Sequence, residues 1–322
     1  MKLYPLKFTP ISQYRIWGGN KLNQAVSEES QIEKTGEIWS ISGIPGKISI
    51  VQNGTLTGRK LSELIEEYKE RLVGTRVYQK FGNDFPLLIK FIDAADKLSV
   101  QVHPGDRQAK DLHGSFGKSE MWYIMESAPD SNLVIGFKEG VDKATYQQHL
   151  ENNSIEEILN NVPVKEGDAL YIPAGRVHAI GAGIVLAEIQ QTSDITYRIY
   201  DYKRLDKDGN QRELHIENAL SAIDFNSPEH IKTPYTKTEN QFNQLIDSPY
   251  FETKIFKGNQ PTEIRNNQKM RIYLCTGGKV NFTTAGDTYD LTVYQSLIIP
   301  AELNNFNIEP KEEATLLEVC IP

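Results

Sequence analysis

Cysteine is nearly missing from this chain of 322 residues, which holds only Cys275 and Cys320. Two thiols are too few, and too far from any histidine cluster, for a thiolate zinc site, so both are expected to be reduced and buried. Long apolar runs are missing as well. The longest uncharged apolar stretch, Ala179 to Ala187, includes Gly181 and Gly183 and is far shorter than the roughly 20 residues that cross a bilayer. The opening segment MKLYPLKFTPISQYR is broken by Lys7, Ser12 and Gln13; it offers no signal-peptide core, so a cytoplasmic protein with no membrane partner is expected. Excess basic charge is also lacking. The formal net charge is −8, with acids and bases interspersed, which speaks against a nucleic-acid partner. A cation that faces an anionic ligand must therefore be placed locally.

What remains is the composition of an ordinary globular protein, 39% hydrophobic and 24% charged, long enough for two domains. Strand texture dominates. Ile38–Ile41, Lys47–Gln52, Leu98–His103, Glu120–Met125, Ala169–Pro173, Val185–Gln190 and Thr196–Tyr202 are short and rich in β-branched and aromatic residues. The texture returns in Arg271–Cys275, Lys279–Thr283 and Ser296–Ile299. Many short strands between Gly/Pro turns indicate a sandwich or barrel. Helices are few. Leu61, Leu64, Ile65, Tyr68 and Leu72 keep helical spacing up to Gly74; Ser154 and Glu157 read as a capping box opening a short helix through Leu159; His215–Ala222 is a third. Residues 226–240, with two prolines and little apolar content, read as a linker. The expected division is a catalytic domain over 1–235 and a smaller β domain over 236–322.

A faint internal repeat lays Asp168–Ile180 over Gln295–Asn307, matching Leu170, Ile172, Pro173 and Ala174 to Leu297, Ile299, Pro300 and Ala301. His178 then falls on Asn305. The C-terminal unit thus reads as a degenerate copy without its ligand.

Four residues carry a metal pattern. In Leu98–His103 alternation puts Leu98, Val100 and Val102 on one face and Ser99, Gln101 and His103 on the other. Glu120 opens a strand among aromatics, where an unpaired carboxylate is costly and a metal would supply its partner. His178 follows the Pro173-Ala174-Gly175 turn. Its G-x5-P-x-G-x2-H setting resembles the second motif of cupins, and Gln101-x-His103 with Glu120 resembles their first, with Gln replacing one His. Imidazole and carboxylate suit Zn, Mn, Fe, Co or Ni, and one carboxylate leaves a divalent site with residual positive charge that can stabilise an enediolate. His113, His149, His215 and His230 lie in polar or helical stretches and read as ordinary residues.

The segments LSVQVHPGD, GKSEMWYIM, IPAGRVHAIGAGIVLAEIQQTSDITYRIYD and RELHIENAL, with YRIWGG and TGEIWSIS, resemble the type I mannose-6-phosphate isomerases, chiefly their short bacterial form. The likeness spans roughly residues 8–225 and is weak beyond. It implies a mainly β fold of two cupin-type jelly-roll β-barrels with a few short helices. It also implies one Zn2+ per chain on Gln101, His103, Glu120 and His178, other divalent metals being possible. An essential arginine maps onto Arg198 and a lysine onto Lys118, while the family's larger helical insertion between the two motifs is absent. The implied partner is a small-molecule sugar phosphate, and the chain is expected to be a monomer or a weak homo-oligomer.

Phosphate needs a fixed cation, and the forked guanidinium of Arg198 suits it; Lys203 and Arg204 are secondary candidates. Isomerisation needs a base near C1 and C2. Lys118 and Glu188 are both open for that role, and Glu188 could equally orient Arg198 or a ligand histidine. Ser99 and Trp17 are candidates for the substrate-binding wall. Mannose 6-phosphate to fructose 6-phosphate isomerisation through a cis-enediol(ate) is the favoured activity. A sugar-phosphate-binding cupin without turnover and a metal-dependent cupin oxygenase are the alternatives.

Overall fold

Three strands, Thr35–Ser42, Leu87–Ala94 and Ile184–Gln191, are buried along their whole length, so the sheet that holds them must be covered on both faces. The computed structural model, which describes residues 2–206, 208–226 and 230–322, shows how. The chain is mainly β, as expected. Its first part forms a six-stranded antiparallel sheet in the order Ile11–Gly19, Thr35–Ser42, Leu87–Ala94, Ile184–Gln191, Glu120–Ser127, Ala169–Ile172. Facing it is a five-stranded sheet in the order Tyr197–Tyr200, Val100–Val102, His178–Ile180, Asn132–Phe137, Leu159–Pro163. The second part repeats the plan. Leu6–Lys7, Ser296–Ile299, Arg271–Gly277, Ala314–Cys320, Glu252–Gly258 and Phe242–Asp247 form one sheet, and Thr262–Arg265, Asn305–Pro310, Lys279–Thr284 and Asp287–Thr292 the other. Each unit is a pair of facing open sheets rather than a closed barrel.

The two six-stranded sheets pack back to back. Ile38, Ile41, Leu87, Ile89, Phe91, Val185, Ala187 and Ile189 of the first meet Ile255, Ile272, Leu274, Ile298, Leu317 and Val319 of the second in one core. That leaves Lys90, Ile92, Leu186 and Glu188 on the opposite face, inside the first unit, where Trp17, Trp122, Leu170 and Ile180 also sit. Leu6–Lys7 pairs with Ser296–Ile299, so the start of the chain contributes a strand to the C-terminal sheet. The Pro-containing segment after residue 226 is clasped onto the first unit: Thr233 donates to the Ala169 carbonyl at 2.8 Å and Tyr235 to that of Gly167 at 2.6 Å. Ser227 to Glu229 of that segment lie outside the described residues.

Several local expectations are corrected. Lys47–Gln52 is not a strand; Ile50 and Val51 make only isolated bridges to Lys60 and Phe8, since no neighbouring strand extends alongside. The helix from Leu61 keeps its buried face but breaks at Lys69 (φ 46°) into Leu61–Tyr68 and Glu70–Val73. Ser154 caps nothing: its hydroxyl meets His149 Nδ1 at 2.8 Å, and Ile155–Ile158 is a 3-10 turn with Leu159 already in a strand. Leu98 lies before the three-residue strand Val100–Val102 and joins the interior core with Trp17 and Trp122, so the apolar face expected of it holds only for Val100 and Val102. Thr75–Phe81, Asp106–His113 and Lys143–Glu151 are helices that the apolar periodicity does not reveal, because each presents only one buried side chain.

The internal repeat has a structural counterpart. Leu170 and Ile172 face the interior of the first unit as Leu297 and Ile299 face that of the second. Asn305 opens its strand as His178 does, but Asn305 is exposed and Phe306 is the buried neighbour. A one-residue offset exchanges the faces of a strand, and the second unit presents a phenylalanine inward.

Candidate active site and metal centre

Cross-strand register assembles the site. On the five-stranded sheet Gln101 stands opposite His178 on one side and Arg198 on the other, so the three form a row. On the facing sheet Lys90 pairs with Glu188 and Glu188 with Trp122, while Glu120 opens its strand one step further along. The two sheets therefore aim different chemistry into one interior. His103 lies just past its strand, where its carbonyl accepts from the Gly175 N–H at 2.9 Å. Gly175 adopts φ 87°, and a Cβ there would come within 3.0 Å of the Ala222 carbonyl oxygen, so the turn that precedes His178 needs glycine.

His103, Glu120 and His178 are each about 1% exposed, and their ligating atoms lie within 4.8 Å of one another. His103 Nδ1 bonds the Ile195 carbonyl at 2.9 Å and His178 Nδ1 that of Arg176 at 2.8 Å. Donation at Nδ1 leaves the lone pair on each Nε2. These stand 3.6 and 3.5 Å from the two Glu120 oxygens. Gln101 Nε2 is 3.4 Å from His178 Nε2; a flip of the amide turns its oxygen to the same point. His103 Nε2 and both Glu120 oxygens are buried without a hydrogen-bond partner, an arrangement that is costly unless a cation sits among them. Burial lowers His178 to about 4 and His103 well below its ordinary value, while Glu120 is pushed up to about 8 by burial and then by the charge of Glu188. Two neutral imidazoles and a carboxylate are the donor set that a divalent ion requires.

A cavity of about 400 Å³ opens beside these groups. Trp17, Ser99, Gln101, Lys118, Glu188 and Arg198 all line it. Larger concavities of about 620 and 840 Å³ carry exposed charges such as Lys97, Asp130, Lys80 and Asp84. Lys118 is 5% exposed with Nζ 3.8 Å from Glu120, and burial followed by the nearby charge of Lys90 lowers its pKa. Glu188 Oε2 accepts from Trp122 Nε1 at 2.9 Å, while Oε1 lies 2.9 Å from Lys90 Nζ as an ion pair without a hydrogen bond. Arg198 donates to the Glu213 carbonyl at 2.7 Å and keeps a buried Nε without a partner. Arg204 pairs with Asp201 at 2.6 Å and Lys203 is exposed; neither lines this cavity.

The sequence reading missed Arg15, Glu37, Trp39, Lys90 and Arg212, which line the same cavity. Arg15 and Glu37 form a bidentate pair at 2.8 and 3.1 Å, Trp39 Nε1 donates to Glu37 at 2.7 Å, and Lys90 lies between Glu37 and Glu188. A lysine in the middle of the apolar run LLIKFIDA was the available signal, since a buried lysine must be paired. Burial alone would raise the Glu37 carboxyl, but Lys90 and then Arg15 bring it down to about 2. Glu37 therefore stabilises the folded state above its ordinary value of 4.5, and that contribution is lost as pH falls through about 2. Acid unfolding should show it: Glu37→Gln is expected to remove roughly 3 kcal/mol of pH-dependent stability between pH 5 and 2, read by denaturant titration at each pH.

The second unit carries the same row with altered chemistry. Lys254, Glu318, Tyr273 and Leu297 pair in the order in which Lys90, Glu188, Trp122 and Leu170 pair in the first. Arg271 stands opposite Ile299 as Glu120 stands opposite Ile172. Its Nη1 lies 2.8 Å from Glu318, whose other oxygen accepts from Tyr273 at 2.5 Å. A guanidinium takes the place of the Glu120 carboxylate and neutralises the buried acid from within.

The model of the type I phosphomannose isomerase catalytic domain matches residues 5–154. Mannose-6-phosphate isomerase of Streptococcus mutans is 33% identical over 310 residues, 95% of each chain. Mannose-6-phosphate isomerase ManA of Bacillus subtilis is 34% identical over 313 residues, 96% of this chain and 97% of its own. The chain belongs to the type I phosphomannose isomerase family. The crystal structure of mannose 6-phosphate isomerase from Bacillus subtilis superposes with a TM-score of 0.87 at 30% identity, covering 98% of this chain and 99% of that one. The relatives span both units, and so reach beyond the matched model into the C-terminal sheets. Among the described residues His103, Glu120 and His178 form the cluster of metal-competent groups, and no helix is long and apolar enough to cross a membrane.

Proposed function

We propose that the chain interconverts mannose 6-phosphate and fructose 6-phosphate, with one divalent metal, zinc by the family resemblance, held by Gln101, His103, Glu120 and His178. The observation that carries this is the convergence of partnerless, buried His103 and Glu120 atoms behind Gln101 and Lys118, which line a cavity that also holds Arg198 with an unpaired Nε. The division into a catalytic unit over 1–235 and a C-terminal unit over 236–322, the latter crossed by Leu6–Lys7, belongs to the same reading.

When bound, the metal supplies positive charge that stabilises the enediolate oxygens. The chain's own residues do the rest. Arg198 holds the phosphate through its free donors, and Arg212 adds a second guanidinium to that wall. Trp17 and Ser99 line the path between phosphate and metal centre. Lys118, whose amine is held low by burial, takes the proton from C2 of the aldose as the C–H pair becomes the C1–C2 double bond and the carbonyl pair moves onto O1; the O2 proton passes to O1, and Lys118 returns its proton at C1 as the C2 carbonyl forms. Glu188 is paired with Lys90 and bonded by Trp122, and in this reading it fixes Lys90.

A coupled assay on metal-replete protein tests the activity. Interconversion that chelation abolishes is expected; metal-replete protein with no turnover, but with ligand-dependent thermal stabilisation, would leave only a binding protein. Arg198→Ala is expected to lower kcat/KM for mannose 6-phosphate about a hundredfold with the metal still bound. Steady-state kinetics beside elemental analysis checks this, and an unchanged kcat/KM would remove Arg198 from the site.

A further inference from the structure

His215 belongs to no expected site, yet it touches the residue on which the phosphate reading depends. Arg198 lies on the edge strand of the five-stranded sheet. In an antiparallel strand the N–H and C=O of one residue point to the same side. Those of Arg198 point to the open edge, where no further strand follows. His215 supplies both partners: its backbone N–H donates to the Arg198 carbonyl at 2.8 Å, and its imidazole Nδ1 accepts from the Arg198 N–H at 3.2 Å. Two residues earlier the Glu213 carbonyl accepts from Arg198 Nη1 at 2.7 Å. The His215 ring packs against Tyr197 with centroids 6.4 Å apart, and Tyr197 in turn bonds His113 Nε2 at 2.8 Å. His215 opens the Ile216–Ala222 helix without capping it through its side chain, so the imidazole is committed to Arg198.

We propose that His215 is a positioning residue: with the Glu213 carbonyl it stands in for a missing strand and fixes the backbone and guanidinium of Arg198 for an oxyanion ligand. The inference rests on the phosphate role given to Arg198 above. Without the imidazole acceptor the Arg198 N–H loses its partner on the only side where the sheet offers none. The strand end can then relax toward solvent, and a forked guanidinium that is displaced by about an ångström loses its paired contact.

The test is a double-mutant cycle read on inorganic phosphate binding by calorimetry, which does not depend on turnover. His215→Phe keeps a ring beside Tyr197 and removes the acceptor. It is expected to weaken phosphate binding about tenfold with metal content unchanged, and to weaken it no further in an Arg198→Ala background. The same KM increase for mannose 6-phosphate is expected with little change in kcat. Wild-type affinity in His215→Phe, or an equal loss in both backgrounds, would overturn the proposal. If His215→Phe does not fold, His215→Leu in the same two backgrounds decides by the same criteria. Phosphate binding that follows this pattern in a protein without isomerase activity would overturn the proposed reaction and leave His215 in its role.

Discussion

His178→Ala is expected to lower turnover by roughly a thousandfold or more, and to reduce bound metal from one equivalent to a small fraction, in a protein that still folds. His178 Nδ1 is committed to the Arg176 carbonyl, which leaves Nε2 facing Glu120 at 3.5 Å. His103 approaches the other Glu120 oxygen at 3.6 Å. Alanine leaves one imidazole, one carboxylate and one amide, too few strong donors for a catalytic site. A thousandfold is about 4 kcal/mol of barrier, within the several kcal/mol that a Lewis acid contributes to an enediolate. The fold should survive, because the far face of His178's sheet is held by a core that includes Val100, Val102, Ala179 and Ile199, and the void lies beside the edge-on ring of Trp122 at 5.4 Å. Elemental analysis and circular dichroism on the same sample check both halves. Full metal content with full activity would remove His178 from the ligand set.

Lys118→Met should lower kcat by roughly a hundredfold to ten-thousandfold, the usual worth of a positioned proton carrier, with metal retained. Lys118 is the cavity's ammonium that burial and a like charge both disfavour. Lys90, equally buried, is held charged instead: burial alone would lower it, but the carboxylates of Glu188 and Glu37 leave it raised. The two lysines are thus driven apart, one toward a neutral amine and one fixed as a cation, which is how neighbouring titratable groups acquire separate tasks. Exchange of solvent deuterium into the C2 position of mannose 6-phosphate isolates the proton step and should fall with kcat. Methionine preserves the stem and most of the volume. If Lys118→Met kept its exchange rate while Glu188→Gln lost it, Glu188 would be the base.

How far the sequence discloses this depends on what each residue's environment requires of its neighbours. Gln101, His103, Glu120 and His178 are chemically distinctive, lie beside turns with local signatures, and are brought together by the fold. Lys118, Glu188, Arg198, Ser99 and Trp17 reach the same cavity. The inner face of Ile184–Gln191 was readable from alternation, and Val185, Ala187 and Ile189 do pack away from Glu188. Alternation cannot show which strands lie side by side, so Glu37, Lys90 and Arg15 stayed hidden although two of them sit in segments that carried the family likeness. It also fails where both faces are buried, as in Leu87–Ala94. His215 was passed over because its role is a bond to a backbone N–H across an edge, and no spacing rule encodes that. The repeat was legible as a match of four residues, but the inward Phe306 and the Arg271–Glu318 pair depend on register that only the sheets reveal.

In the proposed reaction one metal per chain is required for aldose–ketose exchange. Chelated protein titrated with Zn2+, with activity and bound metal followed on the same samples, tests this directly. The predicted result is activity that rises linearly and stops at one equivalent, with the Arg271–Glu318 unit taking up none. Full activity in metal-free protein, or saturation at two equivalents, would contradict it.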